Sequence, residues 1–255
     1  MIDLHSHVIP GVDDGARTLE AAVRVLTRFA AQGVTTVVCT PHLKASAAGS
    51  APIALVTQKL DELRQHAGRA APALRLGWEI LLDEPGIPLS RPALRLGGSP
   101  AVLVEFPRSG IPPRATHELA RIRESGVVPV LAHPERYWGV SVAHVLEWRA
   151  VGAVMQVDVA PLLSEGDRGR IARLLIEQGL VHLLASDNHG DARALGPARD
   201  WLIELGATEH AELLTARNAA HVLAGESPED VPPLQLPRGV LARFRELLLG
   251  VRRPT

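Results

Sequence analysis

The sequence of 255 residues predicts an α/β protein, a distorted, TIM-like β/α barrel of seven strands. One observation is a repeated pattern in which a helical stretch ends at a glycine and a short β-branched apolar run follows, as at Gly33 and Gly126. Glycine adopts the left-handed conformation after a helix at little cost. A second observation is that the apolar runs are continuous, which is typical of parallel strands buried on both faces.

The predicted strands are spaced along most of the chain, at 2–6, 34–40, 73–80, 101–105, 127–132, 153–157 and 180–184. Seven β/α units come close to the eight of a closed barrel, and we therefore favour a barrel over an open, doubly wound sheet. No G-x-G-x-x-G or P-loop motif follows any of these strands, which weakens a nucleotide-binding interpretation.

Residues 206–255 are predicted to form terminal helices, at 209–223 and 241–251, with a proline-rich connector at 228–237. The composition shows no domain boundary, so we expect a single domain over 1–255. No apolar run reaches the roughly 18 residues that a membrane-spanning helix needs. We expect no direct membrane insertion and a cytoplasmic protein.

Charge and cysteine content disfavour two classes of protein. Lys and Arg (27) nearly balance Asp and Glu (28), which gives a net charge of −1. Proteins that bind nucleic acid usually carry a basic excess or a basic stripe, so we expect no nucleic-acid partner. The single cysteine, Cys39, excludes an intramolecular disulfide framework and a multi-cysteine metal site.

The first predicted strand ends in a His-x-His pattern. Side chains two residues apart in a strand point the same way, so His5 and His7 direct two imidazoles to one place. Paired imidazoles suit Zn, Mn or Fe better than Ca.

Donor residues also follow the other predicted strands. Six strand ends carry a nitrogen or oxygen donor: His5 with His7, His42, Glu79, Glu105, His133, and Asp187 with His189. The loop after the first strand adds Asp13 and Asp14. Because the chemistry of β/α barrels lies at the carboxyl ends of the strands, we expect these side chains to meet. They exceed the roughly four to six donors of one ion, so we expect two or three metals that activate water and bind a phosphate ester.

An ordered set of motifs resembles one known family. The set contains the N-terminal His-x-His, Val12-Asp13-Asp14-Gly15, Thr40-Pro41-His42, Gly77-Trp78-Glu79-Ile80, Glu105-Phe106, Ala132-His133-Pro134-Glu135-Arg136-Tyr137 and Ala185-Ser186-Asp187-Asn188-His189. These motifs resemble the PHP (polymerase and histidinol phosphatase) superfamily. More specifically, they resemble the CpsB/CapC metal-dependent protein-tyrosine phosphatases of bacterial capsule and exopolysaccharide systems. The resemblance runs from residue 1 to about residue 225.

The resemblance implies a distorted seven-stranded β/α barrel of the PHP type and a manganese-preferring site of three ions, with Fe or Zn as alternatives. It implies hydrolysis of phosphotyrosine on a partner protein, a bacterial tyrosine kinase that regulates polysaccharide export. It also implies three sets of ligands: His5, His7, Glu79 and Asp187 for one ion, with Glu79 bridging; Glu105 and His133 for the second; Asp14, His42 and His189 for the third. Asp13 is left open between a ligand and a brace of the loop.

Two arginines are candidates for substrate binding. Arg136 follows His133 by three residues, and its guanidinium matches phosphate oxygens. Arg108, after Glu105, lies at the barrel mouth, where substrate contact and an exposed structural role are both open. We expect in-line attack on phosphorus by a metal-activated hydroxide. Either His42 or a metal-bound water donates a proton to the leaving phenolate.

Cys39 is the alternative nucleophile. Cysteine-based tyrosine phosphatases need an arginine six residues after the cysteine, and Ala45 occupies that position. Because Cys39 also lies in an apolar strand, we expect it to be a buried small hydrophobe.

Other functions stay open at this point. The site could serve a small phosphomonoester such as histidinol phosphate, or a nucleic-acid phosphodiester, although the neutral charge disfavours a nuclease. Outside enzymes, the alternative is an inactive, metal-loaded partner of a kinase, which the full ligand set disfavours. Oligomer formation is also open. Glu20 and Arg24 match only part of the Glu-Glu-x-x-Arg motif of ring-forming relatives and equally suit an intrahelical pair.

Overall fold

The computed structural model describes residues 1–107 and 110–236. The predicted substrate-binding residue Arg108 and the predicted helix at 241–251 lie outside the described residues. The described strands are β1 (Ile2–Ser6), β2 (Thr36–Cys39), β3 (His42–Lys44), β4 (Ala73–Leu76), β5 (Glu79–Leu81), β6 (Ala101–Glu105), β7 (Val128–Ala132), β8 (Val154–Asp158) and β9 (Leu183–Ala185).

These strands form parallel sheets. One sheet has the order β1-β2-β4 and the other the order β3-β5-β6-β7-β8-β9, and every paired neighbour is parallel. All carboxyl ends within a sheet therefore lie at the same edge, which is where the sequence places the donor residues.

The described residues form nine strands where the sequence predicts seven. The predicted strand 73–80 is interrupted, and β3 is an additional strand that follows the predicted strand 34–40. β2 and β3 are separated at Pro41, which has no N–H to donate to a ladder. β4 and β5 are separated at Gly77, where a Cβ atom would lie 2.8 Å from Leu96 Cδ2 and 2.9 Å from Val38 Cγ1. The other five predicted strands correspond to β1 and β6–β9, with β9 starting later than predicted, at Leu183.

Helices connect most strands. They are α1 (Leu19–Ala31), α2 (Ile53–Ala67), α3 (Ala115–Glu124), α4 (Val142–Ala150), α5 (Val159–Leu162), α6 (Asp167–Glu177), α7 (Gly196–Glu204), α8 (Thr208–Glu212) and α9 (Asn218–Ala224). Gly33 and Gly126, predicted to end helices in the left-handed conformation, both have a φ of 83°. A π-helical turn, Leu213–Arg217, joins α8 to α9 within the predicted helix at 209–223. None of the described helices has the length and apolar character that crossing a membrane requires.

Strand residues on opposite faces enter two cores. The larger core packs one face of the sheets against the helices. The smaller core, which we call the inner core, contains residues of β1, β2, β6, β7, β8 and β9, and Ala219 and Val222 of α9 pack against it.

The chain after β9 lies beside β1. The His7 N–H donates to the Asn188 carbonyl at 2.7 Å, and the Asp187 N–H donates to the His5 carbonyl at 3.0 Å. Ser6 and Asn188 form a parallel bridge. These bonds bring His5 and His7 next to the loop that carries Asp187.

Candidate active site

The structure brings the nine predicted metal ligands together. Most of them lie at or just after the carboxyl ends of strands, whereas His42 and Glu79 follow β2 and β4 as the first residues of β3 and β5. Three groups have donor atoms within 4.8 Å of one another and could each hold an ion: His7, Asp14, His42 and His189; His5, His7 and Asp187; and His42, Glu79 and Glu105. His133 joins the third group, because its Nε2 lies 2.8 Å from Glu79 Oε1. The groups differ from the implied ligand sets chiefly in that His7 and His42 each belong to two groups.

Glu79 lies at the centre of the cluster and is 1% exposed. Its Oε1 is 3.3 Å from His5 Nε2 and 2.8 Å from His133 Nε2. Its Oε2 is 3.2 Å from His7 Nε2 and 2.8 Å from His42 Nδ1. A carboxylate that faces four imidazoles has the geometry of a bridge between ions.

Asp187 faces the cluster with one oxygen and two arginines with the other. Its Oδ1 lies 3.3 Å from His5 Nε2 and 3.4 Å from His7 Nε2. Its Oδ2 accepts from Arg136 Nη2 and, at 3.0 Å, from Arg193 Nη1. Asp187 (φ 45°) and His133 (φ 37°) are the two non-glycine residues with positive φ in the described part of the chain. Such backbone strain concentrates at functional sites.

Hydrogen bonds behind the cluster fix the orientation of three imidazoles. His5 Nδ1–H donates to Gln156 Oε1 at 2.9 Å, and His7 Nδ1–H donates to Asp13 Oδ2 at 2.7 Å. His189 Nδ1–H donates to the backbone carbonyl of Asp187 at 2.9 Å. These contacts leave each Nε2 lone pair directed at the cluster, the arrangement in which histidine binds metals. Asp13 therefore braces His7, and its Oδ1 also accepts from the Gly15 N–H of its own loop at 3.0 Å.

The cluster attracts positive charge. Burial lowers the pKa of His5, but Glu79 and Asp187 outweigh that effect and raise it to about 9. Burial raises the pKa of Asp187, but His5, His7 and Arg136 outweigh burial and hold it well below its usual range. Burial and the neighbouring Glu79 raise the pKa of Glu105. In the absence of metal, protonated imidazoles balance the negative charge of the buried carboxylates.

A buried chain of hydrogen-bonded side chains, which the sequence did not predict, lies behind His5. Gln156 Nε2 donates to Asp158 Oδ1 at 2.8 Å, and Asp158 Oδ2 pairs with Arg136 Nη2. Glu135 Oε1 accepts from the Asp158 N–H at 3.0 Å. Asp158 ends β8, so the rule that selected the other strand ends would have found it. Gln156 follows from alternation, two residues earlier on the same face.

Arg136 and Cys39 differ in access to the cluster. Arg136, whose side chain is 21% exposed, contacts both Asp158 and Asp187 and does not pair with Glu135.

Cys39 is fully buried, and burial raises the pKa of its thiol to about 12. A thiol in that setting is neither ionised nor accessible, as expected for a small hydrophobe.

Comparison with known proteins identifies the family. The family model described as "Capsular polysaccharide synthesis, CpsB/CapC" matches residues 1–224. The chain belongs to the CpsB/CapC family. CapC of Staphylococcus aureus is 31% identical over 199 residues, which cover 74% of this chain and 77% of CapC.

Two further CpsB/CapC relatives are named as enzymes. The tyrosine-protein phosphatase YwqE of Bacillus subtilis (strain 168) is 27% identical over 255 residues, covering 96% of this chain and 100% of YwqE. The tyrosine-protein phosphatase CpsB of Streptococcus pneumoniae is 29% identical over 208 residues, covering 74% of this chain and 83% of that protein.

A solved structure supports the fold. It comes from work on YwqE of Bacillus subtilis and CpsB of Streptococcus pneumoniae, described there as metal-dependent tyrosine phosphatases. It matches with a TM-score of 0.74 at 23% identity and covers 93% of this chain and 100% of its own. The mixed α/β fold with parallel sheets is therefore shared with that structure.

Proposed function

We propose that this CpsB/CapC protein is a metal-dependent protein-tyrosine phosphatase of capsular or exopolysaccharide synthesis. Its substrate is a cytoplasmic phosphotyrosine protein, a bacterial tyrosine kinase. The names of YwqE and CpsB support the reaction, and the family description supports the pathway. The observation that carries metal dependence is the approach of His5 Nε2 to His7 Nε2 at 3.1 Å.

That approach needs a cation. Because Nδ1 of both rings donates outward, the two Nε2 atoms present lone pairs to each other. A shared ion or a proton removes the repulsion between them. The surrounding carboxylates and imidazoles, without thiolates, suit Mn, Fe or Zn. We propose three Mn²⁺ ions. Nine residues hold them: the eight different members of the three groups, and His133.

The residues divide the catalytic work. Divalent ions at such a site polarise phosphoryl oxygens and lower the pKa of water, so that it can attack at neutral pH. Glu79 and Asp187 fix the spacing of the cluster from buried positions. Arg136, oriented by two carboxylates, supplies a fixed positive charge beside the phosphoryl group. His42, whose side chain is 32% exposed, is both a ligand and our candidate proton donor to the leaving phenolate.

We also propose that the strands close into one distorted barrel of seven segments, within a single domain. β3 continues β2, and β5 continues β4, which joins the two sheets. The bonds between β1 and the chain after β9 support closure, and so does the inner core that six strands share.

The function is tested by removing and returning the metal. We expect hydrolysis of p-nitrophenyl phosphate and of phosphotyrosine peptides to stop after dialysis against EDTA and to return with Mn²⁺. Full activity in the metal-free protein contradicts the proposal. Parallel rates on histidinol phosphate and single-stranded DNA distinguish the alternatives, since faster turnover of either substrate assigns the site to that chemistry.

The role of Arg136 is tested against Arg193, which also contacts Asp187 but shares its charge with Asp191. We expect Arg136→Ala to lower kcat/KM roughly 100-fold, the usual effect of removing a transition-state donor, with the bound metal retained. We expect a smaller loss in Arg193→Ala. Loss of metal from Arg136→Ala would instead assign Arg136 to the positioning of Asp187.

A further inference from the structure

One tryptophan stands outside the core. Trp78, Trp148 and Trp201 are at most 2% exposed, whereas Trp138 is 84% exposed. Tryptophan contributes a large apolar area and is enriched where proteins bind partners. An exposed side chain of this kind near a candidate active site points to an interaction surface.

The fold holds Trp138 in place. Its neighbour Tyr137 is buried, donates from its hydroxyl to the Ala132 carbonyl at 2.8 Å, and accepts from the Phe106 N–H at 3.0 Å. The Val140 N–H donates back to the Tyr137 carbonyl at 3.1 Å, and Gly139 has a φ of 77°. These are the features of a tight β-turn with glycine at its third position. Trp138 is thus presented at the tip of an anchored turn, which lowers the entropy cost of binding through it.

Trp138 lines a groove that shares Arg136 with the candidate active site. The groove has a volume of about 850 Å³ and is bounded by Arg136, Trp138, Val140, Arg168, Ile171 and Leu174; we call it the α6 groove. Arg136 lines this groove and also contacts Asp187 in the cluster. A chain segment whose phosphate is bound by Arg136 would therefore lie next to the groove that Trp138 lines.

Apolar side chains and arginines line most of the groove, together with the buried Glu135 and with Asp167. Leu174 is 42% exposed, and Ile171 is half-buried beside it. Arg170 is neutralised by Asp167, whereas exposed Arg168 has no ion-pair partner among the described residues. This combination complements an extended peptide with apolar and acidic side chains.

We propose that the α6 groove binds the polypeptide that flanks the phosphotyrosine, with Trp138 as its apolar anchor and Arg168 selecting acidic flanking residues. The inference rests on the proposed phosphatase function, and it concerns the selection of the substrate rather than the chemistry. Hydrolysis of a small phosphate ester that cannot reach the groove therefore reports on the function alone.

The experiment compares two readouts. The first is kcat/KM for a phosphotyrosine peptide with glutamates on both sides, divided by kcat/KM for p-nitrophenyl phosphate. We expect Trp138→Ala to lower this ratio about 10- to 30-fold, as for an interface hot spot. We expect Arg168→Glu to abolish the preference for this peptide over one with flanking lysines. Leu55→Ala, an exposed apolar side chain on α2, and Arg69→Glu, before β4, are the matched controls and should change neither value.

The second readout is direct binding of a fluorescent, acidic peptide that carries a non-hydrolysable phosphotyrosine analogue, followed by anisotropy. Weaker binding to Trp138→Ala supports the groove even in a preparation without turnover. An unchanged ratio and unchanged peptide binding overturn the inference, while wild-type turnover of p-nitrophenyl phosphate leaves the phosphatase function standing. A change from dimer to monomer in Trp138→Ala, with peptide binding unchanged, also overturns it by assigning the surface to a second copy of the chain.

Discussion

Replacement of Gln156 by methionine tests whether the buried chain behind the cluster controls metal binding. Gln156 Oε1 accepts from His5 Nδ1–H at 2.9 Å, and Gln156 Nε2 donates to Asp158 Oδ1 at 2.8 Å. All three residues are fully buried, so water cannot replace the lost bonds. Methionine retains the length of the side chain and removes both polar atoms.

The expected size follows from these contacts. Each buried atom left without a partner costs about 1–3 kcal/mol, so we expect about 2–6 kcal/mol less free energy of unfolding for the metal-free protein. His5 also loses the acceptor that fixes its tautomer and directs Nε2 to the metal. Loss of such an outer partner typically weakens metal binding by about 10- to 100-fold. We therefore expect the Mn²⁺ dissociation constant, measured by titration against a chelating dye, to rise by that factor.

Two variants separate metal binding from stability. Asn218→Leu removes a buried side chain that makes three hydrogen bonds far from the cluster, to His182 and Glu229, and should lower stability without changing Mn²⁺ affinity. Gln156→Glu restores an acceptor for His5 and should recover most of the affinity, although its second oxygen faces Asp158. Equal Mn²⁺ affinity in Gln156→Met and Asn218→Leu refutes the reasoning, because Gln156 then acts only on stability.

Two further predictions concern buried groups outside the ligand set. Cys39→Ala should keep at least about half of the wild-type kcat/KM, because a buried thiol with a pKa of about 12 is not a nucleophile; an inactive but folded variant contradicts this. His182 is buried and its Nδ1 accepts from the Met155 N–H at 3.0 Å. Burial and, to a smaller extent, the nearby Arg149 lower the pKa of His182 to about 4 in the folded protein. As the pH falls below about 6.5, His182 is therefore protonated in the unfolded chain before it is protonated in the folded protein. The free energy of unfolding of the metal-free protein should therefore fall by about 2 kcal/mol from this group between pH 7 and pH 5, and urea titrations should show that loss removed in His182→Asn. An equal loss in both proteins would assign the pH dependence to other groups.

The sequence predicts those parts of the fold that depend on local pattern. Continuous apolar runs after glycine identify β2 and β7 to β9, because burial on both faces favours apolar residues at successive positions. The interruptions at Pro41 and Gly77 are also visible in the sequence, but their effect depends on packing. At Gly77 the reason for a break is the close approach of Leu96, which lies far along the chain. The two sheets therefore emerge only in three dimensions.

Prediction of the candidate site from the sequence has different limits. Strand-end position and residue type together indicate eight of the nine clustered donors, because the edge of a parallel sheet converts sequence position into spatial proximity. Asp14 comes from the loop after the first strand, and the family resemblance selects it. The same rule reaches Asp158, whose carboxylate lies at the end of β8 like the others. It does not reach Arg193, which lies in a loop and reaches Asp187 through a long side chain. Long arginines on loops have no periodicity from which a contact can be predicted.

Asp158 shows why the metal ligands and the phosphate-binding candidate belong to one unit. One of its oxygens holds Gln156, which orients His5, and the other holds Arg136, which also contacts Asp187. His5 Nε2 and Asp187 Oδ1 lie 3.3 Å apart, so the contacts of these five residues form a closed ring. Arg136 therefore contacts Asp187 directly and is linked to His5 through Asp158 and Gln156. Because each member restrains two others, the position of the cation that meets the phosphate is fixed relative to the cluster that activates water. A site on independent loops would have to establish that alignment each time substrate binds.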